Sequence, residues 1–268
     1  MQRLVSGDGS SDVAWRPVVE KGLIAAREQS DVAGLVSMVQ LMAQLLDGDG
    51  RYADALSEID HAMVFARGSG DALLVLLGFK ATIESATGDV TSARATADRG
   101  LPLLGSAGEE ARTRYHVFRK VTLWQAFEDG PEPSAEDLLV RCADLGLERD
   151  RTFLLSWYVP FLASQGERRK AHPWIREIRM EAQRLNSVWR LSDAAAFEAW
   201  DQFFAGTFDG SRLELDRRNA MSVWRGEGVR LRHAVLRQDA ERADESLSRL
   251  RNARRRMGGA EVGSIEQL

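Results

Sequence analysis

The feature that most constrains this fold is a pair of amphipathic helices that recurs along the chain. In residues 48–71, GDGRYADALSEIDHAMVFARGSGD, apolar side chains recur at intervals of three and four between Tyr52 and Ala66. This spacing places them on one face of an α-helix, and the glycine-rich segments on both sides mark turns. Residues 30–46 show the same spacing. Because only the short link DGDG joins the two predicted helices, they must pack side by side and antiparallel.

The same helical hairpin is predicted several more times. Ser30 or Asp31, Asp71 and Ser134 are the expected N-terminal caps of three of the helices. A lone helix over 13–28 is expected to cover the first hairpin. The predicted first helices cover 30–46, 71–87, 108–128, 151–164, 187–206 and 229–238, and the predicted second helices cover 52–66, 90–104, 134–147, 168–185, 211–224 and 240–257.

An alanine near the start of each second helix sets the period. The positions are separated by 38, 42 and 36 residues, and a last interval of 72 residues spans two units: Ala55, Ala93, Ala135, Ala171 and Ala243. A period near 40 residues with two helices per unit is typical of an α-solenoid. The sequence therefore predicts an all-α fold of about six hairpins over 13–257. The polar, glycine-containing ends, 1–12 and 258–268, are predicted to be disordered.

Composition excludes several classes of protein. The net charge of −4 gives no general attraction to nucleic acid or to an anionic membrane. Two basic runs, 168–184 and 249–257, do not change this expectation, because glutamates dilute the first and the second ends a helix. Cys142 is the single cysteine, which rules out an intramolecular disulfide and fits a cytoplasmic protein. The most apolar stretch, 72–79, is too short to cross a bilayer and is predicted to be a buried helix.

The motifs of common enzymes are not found in the sequence. The four histidines form neither HxxxH nor HExxH, and no GxSxG turn or GxxxxGK[ST] loop is present. Cys142 continues the apolar stripe of its predicted helix, so it is expected to be a buried small side chain. We therefore expect a protein without catalytic residues, bound metal or cofactor, although residues converging from distant helices would escape this reasoning.

The segments DGDGRYADALSEIDHAMVFARGSGD and TGDVTSARATADRGLPLL resemble degenerate tetratricopeptide-type repeats. Both combine a turn, a glycine and an early alanine with a striped helix. The period is longer than the roughly 34 residues of that family, and it is similar to the repeat regions of large bacterial signalling ATPases, cyclases and transcriptional regulators. The similarity covers residues 30–257, with the rhythm disturbed after about residue 130. It implies a right-handed superhelix that serves as a scaffold for a protein or peptide, in bacterial signalling or transcriptional regulation.

A basic stripe on the predicted helix 108–128 is the strongest candidate for a binding surface. If first helices line a concave groove, this stripe would face an acidic peptide, or, in the alternative, a small anionic ligand of a sensory module. A solvated basic face and tryptophans used only for packing remain open readings, as does self-association through an exposed end. The candidate groove residues are Arg112, His116, Arg119, Lys120, Trp157 and Trp189.

Overall fold

The computed structural model describes residues 12–48, 51–126, 128, 130, 133–184, 188–210, 213–215 and 220–256. Every regular element in these ranges is a helix, which confirms the predicted all-α class. The predicted disorder of 1–12 and 258–268 falls outside the described residues, apart from Asp12, where the first helix begins. The twelve α-helices of the described ranges are α1 Asp12–Glu28, α2 Val32–Gly48, α3 Tyr52–Phe65, α4 Gly70–Ala86, α5 Val90–Asp98, α6 Glu109–Gln125, α7 Ala135–Asp144, α8 Glu148–Ser164, α9 Arg168–Arg184, α10 Val188–Phe204, α11 Ala220–Leu236 and α12 Ala240–Arg256.

Most helix boundaries follow the predicted stripes, with four differences. Helix α5 ends at Asp98 and is followed by a 3₁₀ turn at Leu101–Leu103, where one helix was predicted over 90–104, and α11 begins at Ala220, nine residues before the predicted range 229–238. The cap of α4 is Ser69, whose Oγ accepts from the backbone N–H of Ala72, so the prediction of Asp71 is wrong. The predicted second helix of the fifth hairpin, 211–224, is also wrong as a continuous helix. Residues 213–215 are not helical, and α11 begins only at Ala220. The segment after α10 contains Gly210 and lacks an apolar stripe of helical period, so nothing in it favours a helix.

The chain divides into two compact units. The N-terminal unit comprises Val13–Asp47 and Arg51–Phe161, and the C-terminal unit comprises Leu162–Leu268 with Gly48–Gly50 and Met1–Asp12. The boundary between them falls inside α8.

In the N-terminal unit, α4 is the central helix and packs against α3, α5 and α6. The apolar run 72–79 lies in α4 and is buried throughout except for Leu73, which is partly buried, as its composition predicted. Thr82 of α4 bonds through its Oγ1 to the carbonyl of Gly78, 3.2 Å away, and approaches Thr122 of α6 at 3.5 Å. Four of the five alanines that set the period occupy buried positions, in α3, α5, α7 and α9, where a small side chain lets neighbouring helices approach. The fifth, Ala243 of α12, is only partly buried.

One turn is used three times to join helices. A residue with positive φ ends the first helix, and an aspartate follows that caps the second: Ser30-Asp31, Gly88-Asp89 and Gln238-Asp239. Each aspartate accepts a hydrogen bond from the backbone N–H three residues later, at 2.9 to 3.1 Å. These bonds satisfy a donor that the helix start leaves unpaired. The bond from Ser92 is also the main cause that lowers the pKa of Asp89.

In the C-terminal unit, α10 packs against α9 and α11, and α11 packs against α12. Ion pairs connect α9 to α10, with Arg179 bound to Glu198 and Arg168 bound to Asp201. A small apolar core is shared by α10, the segment after it and α11. It consists of Ala199, Phe208, Leu213 and Val229. Among the helices that the structure describes, none combines the length and the apolar character required to cross a bilayer.

Candidate functional site

Helix α6 carries polar groups on two faces that meet different helices. Its apolar residues are buried as predicted, including Ala111, Tyr115 and Phe118. One polar face is directed at the second helices α5 and α7, and the other at the first helices α2 and α8. Both faces lie within the N-terminal unit, and each holds a candidate binding site.

The first face is the basic stripe predicted from sequence, and one further residue joins it. His116 is surrounded by the positive charges of Arg112, Arg119 and Lys120 of α6 and of Arg141 of α7. We call these five residues the His116 cluster. Sequence reasoning missed Arg141, because nothing in the spacing of a different helix indicates that its side chain meets α6. Charge on the exposed side of α7 was the only available signal.

The cations of the His116 cluster differ in how far they are available. Arg119 forms an ion pair with Asp98 of α5 at 3.5 Å, and its side chain is 15% exposed. Lys120 is buried and donates to the carbonyl oxygen of Gly130, 3.0 Å away, so it holds the segment that follows α6. Arg112 and Arg141 are exposed, and neither pairs with a carboxylate in the described part of the chain. These two arginines are therefore the ones that a partner would meet.

Burial and the positive charges of the cluster act together on the pKa of His116. Burial lowers its pKa from 6.5, and the charges of Arg119, Arg141, Arg112 and Lys120 lower it further, to about 4. Folded His116 is thus a neutral imidazole at pH 7 that sits among cations. A pKa depressed by neighbouring like charges indicates a local excess of positive potential.

This shift predicts a pH dependence of stability. Between pH 6.5 and about 4, the unfolded chain binds a proton at His116 that the folded chain does not bind. The free energy of unfolding should therefore fall as the pH is lowered through this window. After allowance for solvent screening, we expect wild type to lose about 1 kcal/mol more than His116→Gln between pH 7 and pH 5. Urea unfolding at both pH values measures this difference, and His61→Gln, at an exposed site on α3, is the control. Equal losses in wild type and His116→Gln would contradict the expectation.

The second polar face of α6 forms a network with two other first helices. Arg114 donates to Oε1 of Gln40 on α2 at 2.6 Å and contacts the carboxylate of Asp150 on α8 at 3.4 Å. Arg149 of α8 donates to Oε1 of Gln44 on α2. We call these five residues the Arg114 cluster. Its members meet across sequence separations of 74 and 105 residues, which is why no local pattern predicted it.

The Arg114 cluster holds two largely buried cations, Arg114 and Arg149, beside one buried carboxylate, that of Asp150, which is 5% exposed. A second carboxylate, that of Glu110, contacts Arg114 at 3.5 Å from an exposed position where solvent screens its charge. Burial lowers the pKa of Arg149 to about 10; the charge of Asp150 opposes this shift and that of Arg114 adds to it. The Nε2 of Gln40 is buried and has no hydrogen-bond acceptor among the described residues, and the Nε of Arg114 has an ion contact with Asp150 but no hydrogen bond. Buried donors without acceptors are unfavourable, so this cluster favours an added anion.

Neither cluster as defined above includes a tryptophan. Trp157 is half-buried on α8, in the N-terminal unit. Trp189 belongs to α10, in the C-terminal unit, and its side chain lies outside what the structure describes. Their proposed role in a groove stays a prediction.

Within the described ranges, the geometry bears on two features of catalytic sites, metal ligands and a reactive cysteine. Across residues 12–256 with the gaps given above, no group of three or more His, Cys, Asp and Glu is arranged to hold a metal ion. Cys142 is fully buried on α7, as its stripe predicted, and burial raises the pKa of its thiol to about 12. A thiol with a raised pKa is a weak nucleophile, because only the thiolate reacts.

Comparisons with known proteins leave the chain without an assigned family. No protein-family model matches it, and neither the curated proteins nor the solved structures gave a match.

Proposed function

We propose that this chain is a non-catalytic helical-repeat protein that binds an acidic segment of a protein partner at the His116 cluster. Its role would lie in signalling or transcriptional regulation, as the resemblance to bacterial repeat arrays implies. The proposed arrangement is a right-handed superhelix of tetratricopeptide-like hairpins. The packing of α4 on α3, α5 and α6, and the buried alanines in successive second helices, support that arrangement.

The observation that carries the proposal is the pair of exposed arginines beside a neutral histidine. Arg112 on α6 and Arg141 on α7 stand on adjacent helices, and both contribute positive charge at His116. Their planar guanidinium groups can bind carboxylates in a bidentate manner. Arg119 and Lys120 are already bonded within the protein, so they contribute a fixed positive potential, and the ordering cost of binding falls on Arg112 and Arg141.

A fluorescein-labelled peptide of eight glutamates provides a direct test by fluorescence anisotropy at low salt. We expect Arg112→Ala/Arg141→Ala to weaken binding about tenfold or more, because two charge-assisted contacts are lost. The matched control is Arg94→Ala/Arg242→Ala, which removes the same charge from exposed arginines that already pair with Glu128 and Asp239. The control should retain affinity within about twofold.

Equal losses in both double variants would mean that the peptide responds only to net charge, and the His116 cluster would then not be the site. Absence of binding by wild type would also contradict the proposal. The expected contacts join exposed arginines to glutamate carboxylates, and salt screens such charges. The affinity for the peptide should therefore fall steeply as salt is raised from low to physiological concentration.

The alternative, a sensory module for a small anionic ligand, has a different location. The donor excess of the Arg114 cluster favours it there, on the face shared by α2, α6 and α8. Citrate or inorganic phosphate would then raise the melting temperature of wild type. That effect would be lost in Arg149→Met and retained in Arg112→Ala/Arg141→Ala. The opposite pattern would leave the His116 cluster as the anion site.

A further inference from the structure

A cavity of about 500 Å³ lies in the C-terminal unit, between α11, α12 and the segment 213–215. Its apolar walls come from Leu213, Leu215, Val223 and Ala253. The segment can lie directly on α11 because of Gly226, where an added Cβ would come within 2.5 Å of a methyl group of Leu215. The volume falls within the range of cavities that bind small organic molecules.

One charged residue of the cavity wall is almost completely buried. Glu227 is 2% exposed, and its Oε1 accepts hydrogen bonds from Arg230 of α11 and from Arg249 of α12, the latter at 3.4 Å. Its other oxygen, Oε2, is buried and has no hydrogen-bond donor among the described residues. A buried carboxylate oxygen without a donor is unfavourable, and a donor brought by a ligand would relieve that cost.

The two arginines indicate that the hydrogen-bond donor of the ligand is uncharged. Arg230 is fully engaged, because it also donates to the carbonyl of Gly210 at 3.4 Å and to the carbonyl of Leu213. Arg230 and Arg249 together offset the charge of Glu227, and Arg249 also pairs with Glu245. Glu214, the other carboxylate of the cavity wall, is exposed, so solvent screens its charge, and a cationic ligand at Glu227 would meet two nearby guanidinium groups. A neutral N–H or O–H group fits the unmet need of the carboxylate without that repulsion.

We propose that this cavity binds a small apolar molecule that carries one neutral hydrogen-bond donor, of the indole or phenol class, with the donor directed to the carboxylate of Glu227. The apolar body would contact the side chains of Leu213, Leu215 and Val223. This site is separate in sequence and in residues from the His116 cluster. It gives the C-terminal unit a ligand-binding role beyond the proposed binding of a protein partner.

Indole and 1-methylindole form the matched probe pair, since they differ chiefly in the N–H donor. In ¹H–¹⁵N NMR titrations of the full chain, we expect indole to shift the amides of 223–229 and 249–253 and to bind about tenfold more tightly than 1-methylindole. Val223→Phe, which fills the cavity from its half-buried wall, should reduce indole affinity at least tenfold. Val235→Phe, at an exposed position on the same helix, is the control and should bind as wild type does.

Equal affinity for indole and 1-methylindole would overturn the assignment of a donor to Glu227. Shifts confined to other parts of the chain, or an equal loss of affinity in Val223→Phe and Val235→Phe, would overturn the cavity as the site. Tryptamine adds an ammonium group to the indole body. Tighter binding of tryptamine than of indole would show that the ligand class is cationic and would refute the proposal as stated.

Discussion

Replacing Asp150 with Ala should lower the free energy of unfolding by about 3–5 kcal/mol, the largest effect we expect from one substitution on a polar residue. Asp150 is 5% exposed and is the carboxylate that faces two largely buried guanidinium groups, those of Arg114 and Arg149. Without it, the contacts left to the two cations would be the amide oxygens of Gln40 and Gln44 and the exposed carboxylate of Glu110, which solvent screens. Most of the lost free energy comes from the buried cations that remain without a buried counter-charge. The lost ion contact itself contributes less.

The neighbouring ion pair of the same arginine supplies the control. Glu110 contacts Arg114 at 3.5 Å, but its side chain is 63% exposed, so solvent screens the interaction. Glu110→Ala should cost less than about 1 kcal/mol. Urea denaturation of the two variants, each with the slope of the transition compared with that of wild type, measures the difference. Similar losses in Asp150→Ala and Glu110→Ala would show that burial of the Arg114 cluster does not govern its contribution.

A double variant separates lost contact from uncompensated charge. Arg114→Met removes one of the two cations and keeps an apolar stem of similar length. Added to Asp150→Ala, it should restore roughly half of the lost stability, since Arg149 is then the one largely buried cation of the cluster that lacks a buried carboxylate. If the two substitutions are instead additive in their cost, the ion contact between Arg114 and Asp150 would have little energetic coupling, and the explanation above would fail.

The helices were predictable because their signal is local. Each stripe is read within about fifteen residues, and a stripe fixes both the period and the buried face. Caps were less predictable. Asp71 and Ser69 are both suitable capping residues, and the structure uses Ser69 as the cap while Asp71 accepts from the backbone N–H of Gly108, 2.9 Å away. The choice depended on a contact 37 residues distant along the chain.

The candidate sites were likewise predictable only where their residues lie close together in sequence. Four residues of the His116 cluster share one helix, and helical spacing alone placed them together; Arg141 comes from α7 and could not be found by spacing. The Arg114 cluster was missed completely, because Gln40 and Arg114 look like ordinary surface residues in sequence. They are brought together by the packing of α2, α6 and α8. Spacing along one helix predicts a face, whereas only tertiary packing determines which other helix meets that face.

The second large effect is expected at Gly100, between α5 and α6. Its backbone is helical, with φ of −77°, so alanine is acceptable to the main chain. The obstacle is the side chain of Tyr115, because an added Cβ would lie 2.4 Å from Cε2 and 2.9 Å from Cζ of that ring. Tyr115 is fully buried, its hydroxyl donates to the carbonyl of Ala97, and burial raises its pKa to about 12. The ring cannot move aside without losing that hydrogen bond.

Gly100→Ala should therefore cost about 2 kcal/mol through overpacking, after the small gain that alanine brings by restricting the unfolded chain. Gly105→Ala provides the control, because an added Cβ at Gly105 would have nothing within 4 Å. It should change stability by no more than about 0.5 kcal/mol. Thermal or urea unfolding of both variants gives the comparison, and equal stability of the two would contradict the steric argument.

A smaller side chain at position 115 should remove most of the cost of Gly100→Ala. Tyr115→Leu is destabilising by itself, but it removes the ring atoms that a Cβ at Gly100 would strike. In that background, Gly100→Ala should cost less than about 0.5 kcal/mol, which makes the coupling between the two positions favourable. Tyr115 also contacts the ring of His116 at a centroid distance of 5.6 Å. Displacement of Tyr115 by Gly100→Ala should therefore disturb the His116 cluster and weaken the binding of the peptide of eight glutamates. Gly105→Ala should leave both stability and peptide binding unchanged.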